Sequence, residues 1–203
     1  MDIIPSQDDV IGILRRTGAL RDGHFELPTG RHTNEYLQMP LAMRYYQEAK
    51  MLSVALSRRL RSDVEIAKHL PRVSIVAPAT GGLPVAYGVG EALQAEQIYW
   101  AEQQTDGCMQ FRQFMEDHHG EKVILVDDIL RSGKMLKEML RLFEAQGARI
   151  MGLGVVVYQP SADTADFGSL PIYSLARLQL TYYPDAASCE LCRQGLPLQK
   201  VWL

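Results

Sequence analysis

The chain is expected to be an α/β protein built on a mostly parallel central sheet flanked by helices. Three observations lead there. Short, unbroken apolar runs alternate with segments of helical periodicity. A length of 203 residues suits one such domain. One apolar run delivers an acidic pair into a small-residue loop that opens a helix. Uninterrupted apolar strands are buried on both faces, as in parallel sheets covered by helices on each side.

The first helix is expected to start near Ser6 or Asp8, carry Val10, Ile11 and Leu14 at helical spacing, and stop at Gly18. Residues 23–44 read as a hairpin turning at Pro28-Thr29-Gly30. A second helix covers about 45–61, with Met51, Leu52, Ala55, Leu56 and Leu60 as its apolar stripe. Val73–Ala77 reads as a buried strand that leads through Pro78–Gly82 into a helix ending near Leu93. Ile98–Ala101 is the next strand, and residues 103–121 read as a long hairpin or mobile loop. Val123–Val126, Ile150–Val157 and Ile172–Leu178 are further strands, with a helix carrying Met135, Leu136, Met139, Leu140 and Phe143 between the first two. One domain is expected over 1–203: an N-terminal helix and hairpin to about 45, a core over about 46–178, and a tail over about 179–203.

Composition narrows the partners. The chain is 47% hydrophobic and 22% charged, as soluble globular proteins are. A net charge of −3 provides no global basic field for nucleic acid. No apolar run approaches the ~20 residues of a membrane span, and the acidic N-terminus lacks the pattern of a secretion signal. A cytoplasmic protein with no nucleic-acid and no membrane partner is expected.

The chemistry is concentrated in Val126-Asp127-Asp128-Ile129-Leu130-Arg131-Ser132-Gly133-Lys134. The strand brings two carboxylates to the sheet edge, where α/β proteins bind ligands. The loop then enters a helix whose first N–H groups attract phosphate. Gly133 permits close backbone approach, Ser132 offers a hydroxyl, and Arg131 or Lys134 adds charge. Carboxylates beside a phosphate cradle suit a sugar phosphate, since they accept from ribose hydroxyls or hold Mg²⁺ through water. The loop matches neither G-x-x-x-x-G-K-[ST] nor G-x-G-x-x-G. A second strand-to-helix loop, Ala79-Thr80-Gly81-Gly82, can present N–H groups to another anion. Singly, each loop is equally well a tight βα turn; the two in order point to a ligand.

The stretch from Val123 to Met135 resembles the signature of the type I phosphoribosyltransferases, and nearly the whole chain is similar to the orotate phosphoribosyltransferase family. The segment Gly23–Phe25 to Gly30–Thr33 and Tyr36 resembles the N-terminal hood of that family. Pro78–Pro84 is similar to its pyrophosphate loop, and Ile98–Gly107 with Arg112 to its catalytic loop. Cys189–Leu198 is similar to a C-terminal segment of many members. The resemblance implies the type I phosphoribosyltransferase fold with a hood. The implied reaction is Mg²⁺-dependent transfer of ribose 5-phosphate from 5-phosphoribosyl 1-pyrophosphate (PRPP) to a nucleobase, orotate or a related one, within a homodimer. It implies Asp127, Asp128 and Arg112 as catalytic residues, Ile129, Leu130, Arg131, Ser132, Gly133 and Lys134 as the phosphate loop, and Ala79, Thr80, Gly81 and Gly82 as the pyrophosphate loop. Phe25, Arg31 and Gln159 are implied at the base and hood.

Three departures from the family pattern stand out. Arg131 stands where Thr is usual, Gln103 and Gln104 where a cation and its neighbour are usual, and Gln159 where an Arg grips the orotate carboxylate. The departures leave a second reading, a non-catalytic PRPP- or nucleotide-binding regulator of the same fold. No residue is assigned to a metal. Cys189 and Cys192 form a lone C-x-x-C, and a zinc site needs about four ligands, so the pair reads as a reduced turn packing the tail, short of a site shared across a dimer. His24 and His32 read as surface or hydrogen-bonded residues, and His118-His119 as a solvated loop tip.

Overall fold

The computed structural model of the protein describes residues 4–111 and 118–201. Helix α1 (Gln7–Arg16) starts where Ser6 and Asp9 cap each other reciprocally. Strands β1 (Leu20–Glu26) and β2 (His32–Leu37) form the expected hairpin, and a short α2 (Pro40–Met43) leads into α3 (Tyr46–Arg61). A further turn, α4 (Val64–His69), was not legible in the sequence pattern; Asp63 caps it by accepting from the Glu65 and Ile66 N–H groups. Then β3 (Ser74–Pro78), α5 (Gly82–Leu93), β4 (Gln97–Gln103), β5 (Met109–Phe111), β6 (Lys122–Leu130), α6 (Lys134–Ala145), β7 (Arg149–Tyr158) and β8 (Ile172–Arg177) build the α/β core. The tail adds β9 (Tyr182–Tyr183), α7 (Glu190–Arg193) and β10 (Gln199–Lys200).

The central sheet runs β5-β4-β3-β6-β7-β8 and is parallel except for β5, which folds back antiparallel on β4 as a hairpin. Strand alternation divides the core. Ile75 of β3 and Ile124 and Val126 of β6 face the layer of α1, α3 and α5, where Leu14, Leu52, Leu56, Val85 and Val89 are fully buried. Val76, Val123 and Leu125 face the opposite layer, where α6 supplies Leu136, Met139 and Phe143. Both faces are therefore dry, as the unbroken apolar runs require.

The hood is a second sheet, β10-β1-β2-β9. The N-terminal hairpin supplies its centre and the C-terminal tail supplies both edges: Phe25 pairs with Gln199, and Thr33 with Tyr182. The ends of the chain thus make one layer beside the carboxyl edge of the core sheet.

Three expectations are corrected. Strand β6 continues through the acidic pair to Leu130, because Ile129 and Leu130 still pair with Val157 and Tyr158 of β7. Ile129 and Leu130 are thus strand residues, the connecting loop is Arg131–Gly133, and Lys134 is the first residue of α6. His118 is no solvated tip: it is 2% exposed, pairs with Glu121, and packs against Tyr99 and Phe143. The C-x-x-C is not alone: His24 and His32 are buried, and both rings face Cys192.

Candidate functional site

The acidic pair ends the central strand, and two helix starts flank it. Asp127 and Asp128 are each 6% exposed. The Asp128 N–H donates to Asp127 Oδ1 at 2.8 Å, which holds the first carboxyl against its own backbone. Burial, together with the neighbouring Asp128 charge, pushes the Asp127 carboxyl well above the usual carboxylate range. Burial also raises Asp128, with the nearby Arg131 guanidinium opposing it.

The Thr80–Gly82 loop closes on this pair from β3. A Cβ on Gly81 would lie 3.0 Å from Asp128 Oδ2, and one on Gly82 would lie 3.2 Å from Asp127 Oδ1. Only glycine lets this backbone approach the carboxylates so closely. Helix α5 begins here with no side-chain cap; Pro84 has no N–H and the Leu83 N–H donates to the Thr80 carbonyl at 3.3 Å, so the backbone donors left for an anion are those of the Gly81–Gly82 turn. Helix α6 also begins without a side-chain cap, after Gly133 at φ 68°. A side chain at Gly133 would be strained by that φ and would meet Leu130 and Phe167 at 2.9 and 3.0 Å. Residues 161–167 brace the loop from outside. Thr164 Oγ1 donates to the Arg131 carbonyl at 2.7 Å, and the Ala165 N–H to the Ser132 carbonyl at 2.8 Å. Two anion-ready turns and a carboxylate pair therefore meet at one edge of the sheet.

A cavity of about 520 Å³ opens between this edge and the hood. Asp128, Ile129, Arg131, Ser132 and Gln159 line it from the core, and Arg31, Tyr36 and Tyr182 from the hood. Arg131 turns toward the hood: its Nε donates to Gln159 Oε1 at 2.5 Å and its Nη2 to the Leu37 carbonyl at 3.5 Å. Gln159 is 1% exposed and its Nε2 has no protein partner, which leaves a buried donor at the cavity wall. Arg31 crosses to Asp163 at 3.6 Å. Burial raises the Tyr182 hydroxyl, while Arg131 and Arg31 pull it the other way. The wall is thus largely apolar, with the Arg131 guanidinium and the Gln159 amide as donors near the acid pair, a surface suited to a planar ligand that carries an acceptor group.

Of the residues named from sequence, Asp127, Asp128, Gly81, Gly82, Ser132 and Gly133 converge at the strand ends, with Ala79 and Thr80 on the same loop. Ile129, Arg131, Arg31 and Gln159 line the cavity, whereas Leu130 is core and Lys134 is exposed on α6. Phe25 does not line the cavity. It is 2% exposed inside the hood and stacks behind Tyr36, 5.7 Å between ring centres, so that Tyr36 presents the aromatic face. Arg112 lies outside the described residues. Sequence reasoning missed Tyr36 and Tyr182 as lining residues. The pairing of β2 with β9 creates that wall, and no local periodicity reports it.

An open α/β sheet carrying an acid pair between two phosphate-ready turns defines a phosphoribosyl-binding class of protein. A family model described as "Phosphoribosyl transferase domain" matches residues 49–167, and the chain belongs to that family. It is 32% identical to an orotate phosphoribosyltransferase of Thermus thermophilus over 95% of this chain and all of that protein. It is 34% identical to one of Thermotoga petrophila, over 93% of this chain and 94% of the relative. Among solved structures, orotate phosphoribosyltransferase from Aeropyrum pernix shares the fold with a TM-score of 0.66 at 20% identity, covering 83% of this chain and 93% of that one. Among the described residues, no helix is long and apolar enough to cross a membrane.

Proposed function

We propose that the protein is an orotate phosphoribosyltransferase: it transfers the 5-phosphoribosyl group of PRPP to the ring nitrogen of orotate and releases pyrophosphate. The observation that carries the reading is the cavity under the hood, where Arg131 and the unpartnered Gln159 amide stand directly beside the acid pair. The usual strand-end Arg is absent at Gln159, and Arg131, one loop away, supplies guanidinium in its place. Arg131 and Gln159 Nε2 hold the orotate carboxylate, and Tyr36 backs the ring. The α6 start, with Ser132, holds the 5′-phosphate, and the Thr80–Gly82 turn holds the pyrophosphate.

Asp127 and Asp128 accept from the ribose hydroxyls and oppose the positive charge that develops on the ribosyl ring as its bond to pyrophosphate breaks. Mg²⁺ fits this donor set, because the two buried carboxylates are hard oxygen donors whose mutual charge a divalent cation relieves. When bound, it neutralises charge on the leaving pyrophosphate. Catalysis otherwise rests on holding the two substrates in line. A homodimer is part of the proposal, supported by the exposed Tyr45, Tyr46 and Tyr87 beside one groove of the α3–α5 face.

Pyrophosphate release from PRPP and Mg²⁺ should depend on orotate and be at least ~100-fold slower with uracil, which lacks the carboxylate. PRPP binding without turnover on any base would instead establish the non-catalytic regulator.

A further inference from the structure

We propose that His24, His32, Cys189 and Cys192 form a tetrahedral zinc site that fastens the C-terminal segment to the hood. The four side chains come from three places: β1, β2 and the single turn of α7. Their ligand atoms all lie within 4.8 Å of one another, and three of the residues are buried. His24 Nε2 is 3.6 Å from each sulfur, and His32 Nδ1 is 3.3 Å from Cys192 Sγ. Tetrahedral zinc with Zn–N near 2.0–2.1 Å and Zn–S near 2.3 Å needs N···S edges of about 3.6 Å and an N···N edge of about 3.3 Å. The two imidazoles stand at 2.9 Å, a few tenths inside that edge. Four of the six ligand–ligand edges thus stand at or a few tenths inside ligand spacing, and all six are within 4.8 Å.

Local structure explains the convergence. Glu26 pairs with His32, and His24 lies in the irregular stretch of β1 between Asp22 and Phe25, where its ring nitrogen meets that of His32 at 2.9 Å. Cys189 caps α7 and Cys192 follows three residues later, which puts both thiols on one side of one turn. The turn closes as the Gly195 N–H donates to the Cys192 carbonyl, and the next residue, Leu196, turns its own carbonyl to His24 Nδ1 at 3.0 Å. That bond places the His24 proton on Nδ1 and leaves the Nε2 lone pair facing the two sulfurs. A backbone carbonyl behind a ligating imidazole is the usual outer support of a metal site.

Hydrogen bonding alone accounts for the cluster poorly. The single lone pair of His24 Nε2 would have to serve His32 Nδ1 and two thiols at once. One cation at the centre satisfies all four donors together. Two sulfurs and two imidazoles select zinc, whereas Mg²⁺ takes oxygen donors. Four protein ligands leave no open position, so the site is structural and separate from the acid pair. It joins segments more than 150 residues apart in the chain, and it holds Tyr182 and Tyr183 against β2 only through the hood sheet.

The test is the metal content of the full-length protein, purified under reducing conditions without added chelator. About one zinc per chain is expected. Exchange for cobalt(II) should give thiolate-to-cobalt charge-transfer bands and the ligand-field spectrum of a tetrahedral ion. Cys192→Ser should weaken cobalt binding by more than ~100-fold. His32→Cys, which keeps a four-donor set, should retain the metal and intensify the charge-transfer bands. Because the wild-type measurement stands apart from the variants, poor folding of one variant does not remove the test. Wild-type protein without zinc and without the cobalt spectrum, a Cys189–Cys192 disulfide in its place, or zinc content unchanged in Cys192→Ser would overturn the proposal.

Discussion

Asp127→Asn should lower kcat/KM by about 10²–10³-fold, the scale on which a single transition-state electrostatic contact is lost, while raising the melting temperature by a few degrees. Both effects follow from one feature. The carboxyl sits buried beside a second carboxyl, so its pKa is raised in the folded state. A carboxyl with a raised folded pKa contributes stability below its unfolded pKa, and that contribution is lost as pH rises through the folded value. Above that folded value the ionised pair therefore weakens the fold. The amide carries no charge and keeps an oxygen to accept the Asp128 N–H. Thermal denaturation and steady-state kinetics on the same preparation check both halves. A melting temperature that falls along with activity would mean that Asp127 serves the fold.

The same titration sets the acid limb of the pH profile. PRPP binding needs carboxylates, and burial makes the pair hold protons above the usual carboxylate range. Activity should decline with falling pH before ordinary surface carboxylates titrate, and Asp127→Asn should shift that limb.

Arg131→Gln should raise KM for orotate by about 100-fold, while KM for PRPP changes by less than about threefold. Truncating one partner of a buried, charged contact costs roughly 2–5 kcal/mol, and each 1.4 kcal/mol is tenfold. The split between the two substrates separates the alternatives. In the family pattern, position 131 belongs to the phosphate loop, which would make PRPP the affected substrate. Here the side chain leaves that loop and bonds Gln159 across the cavity. Arg131→Lys should recover little, because an ammonium cannot reproduce the forked guanidinium contact. Equal effects on both substrates would return Arg131 to the phosphate.

The central sheet was legible because its strands are buried on both sides and write unbroken apolar runs. The end of β6 was not. Asp127 and Asp128 interrupt the apolar pattern, yet the ladder to β7 continues past them to Leu130; a site residue inside a strand looks like the end of the strand. The two anion turns were readable from glycine and small residues. The direction of Arg131 was not, since it is set by distant partners, the Leu37 carbonyl of β2 and the buried Gln159 just past β7. Tyr182, the lining role of Tyr36, and the cluster of His24 and His32 with Cys189 and Cys192 were invisible for another reason. They are assembled when the tail pairs with the hairpin over most of the chain length, and local spacing holds no record of such pairing. The lone C-x-x-C looked incomplete because its partners lie more than 150 residues upstream.

A crystal structure with orotidine 5′-monophosphate and Mg²⁺ tests the account most directly. The base should occupy the cavity beneath the hood, with its carboxylate on Arg131 and Gln159 Nε2, its ribose hydroxyls on Asp127 and Asp128, and its 5′-phosphate at the first N–H groups of α6. A nucleotide bound with its phosphate on Arg131, or with its carboxylate away from Gln159, would contradict the account.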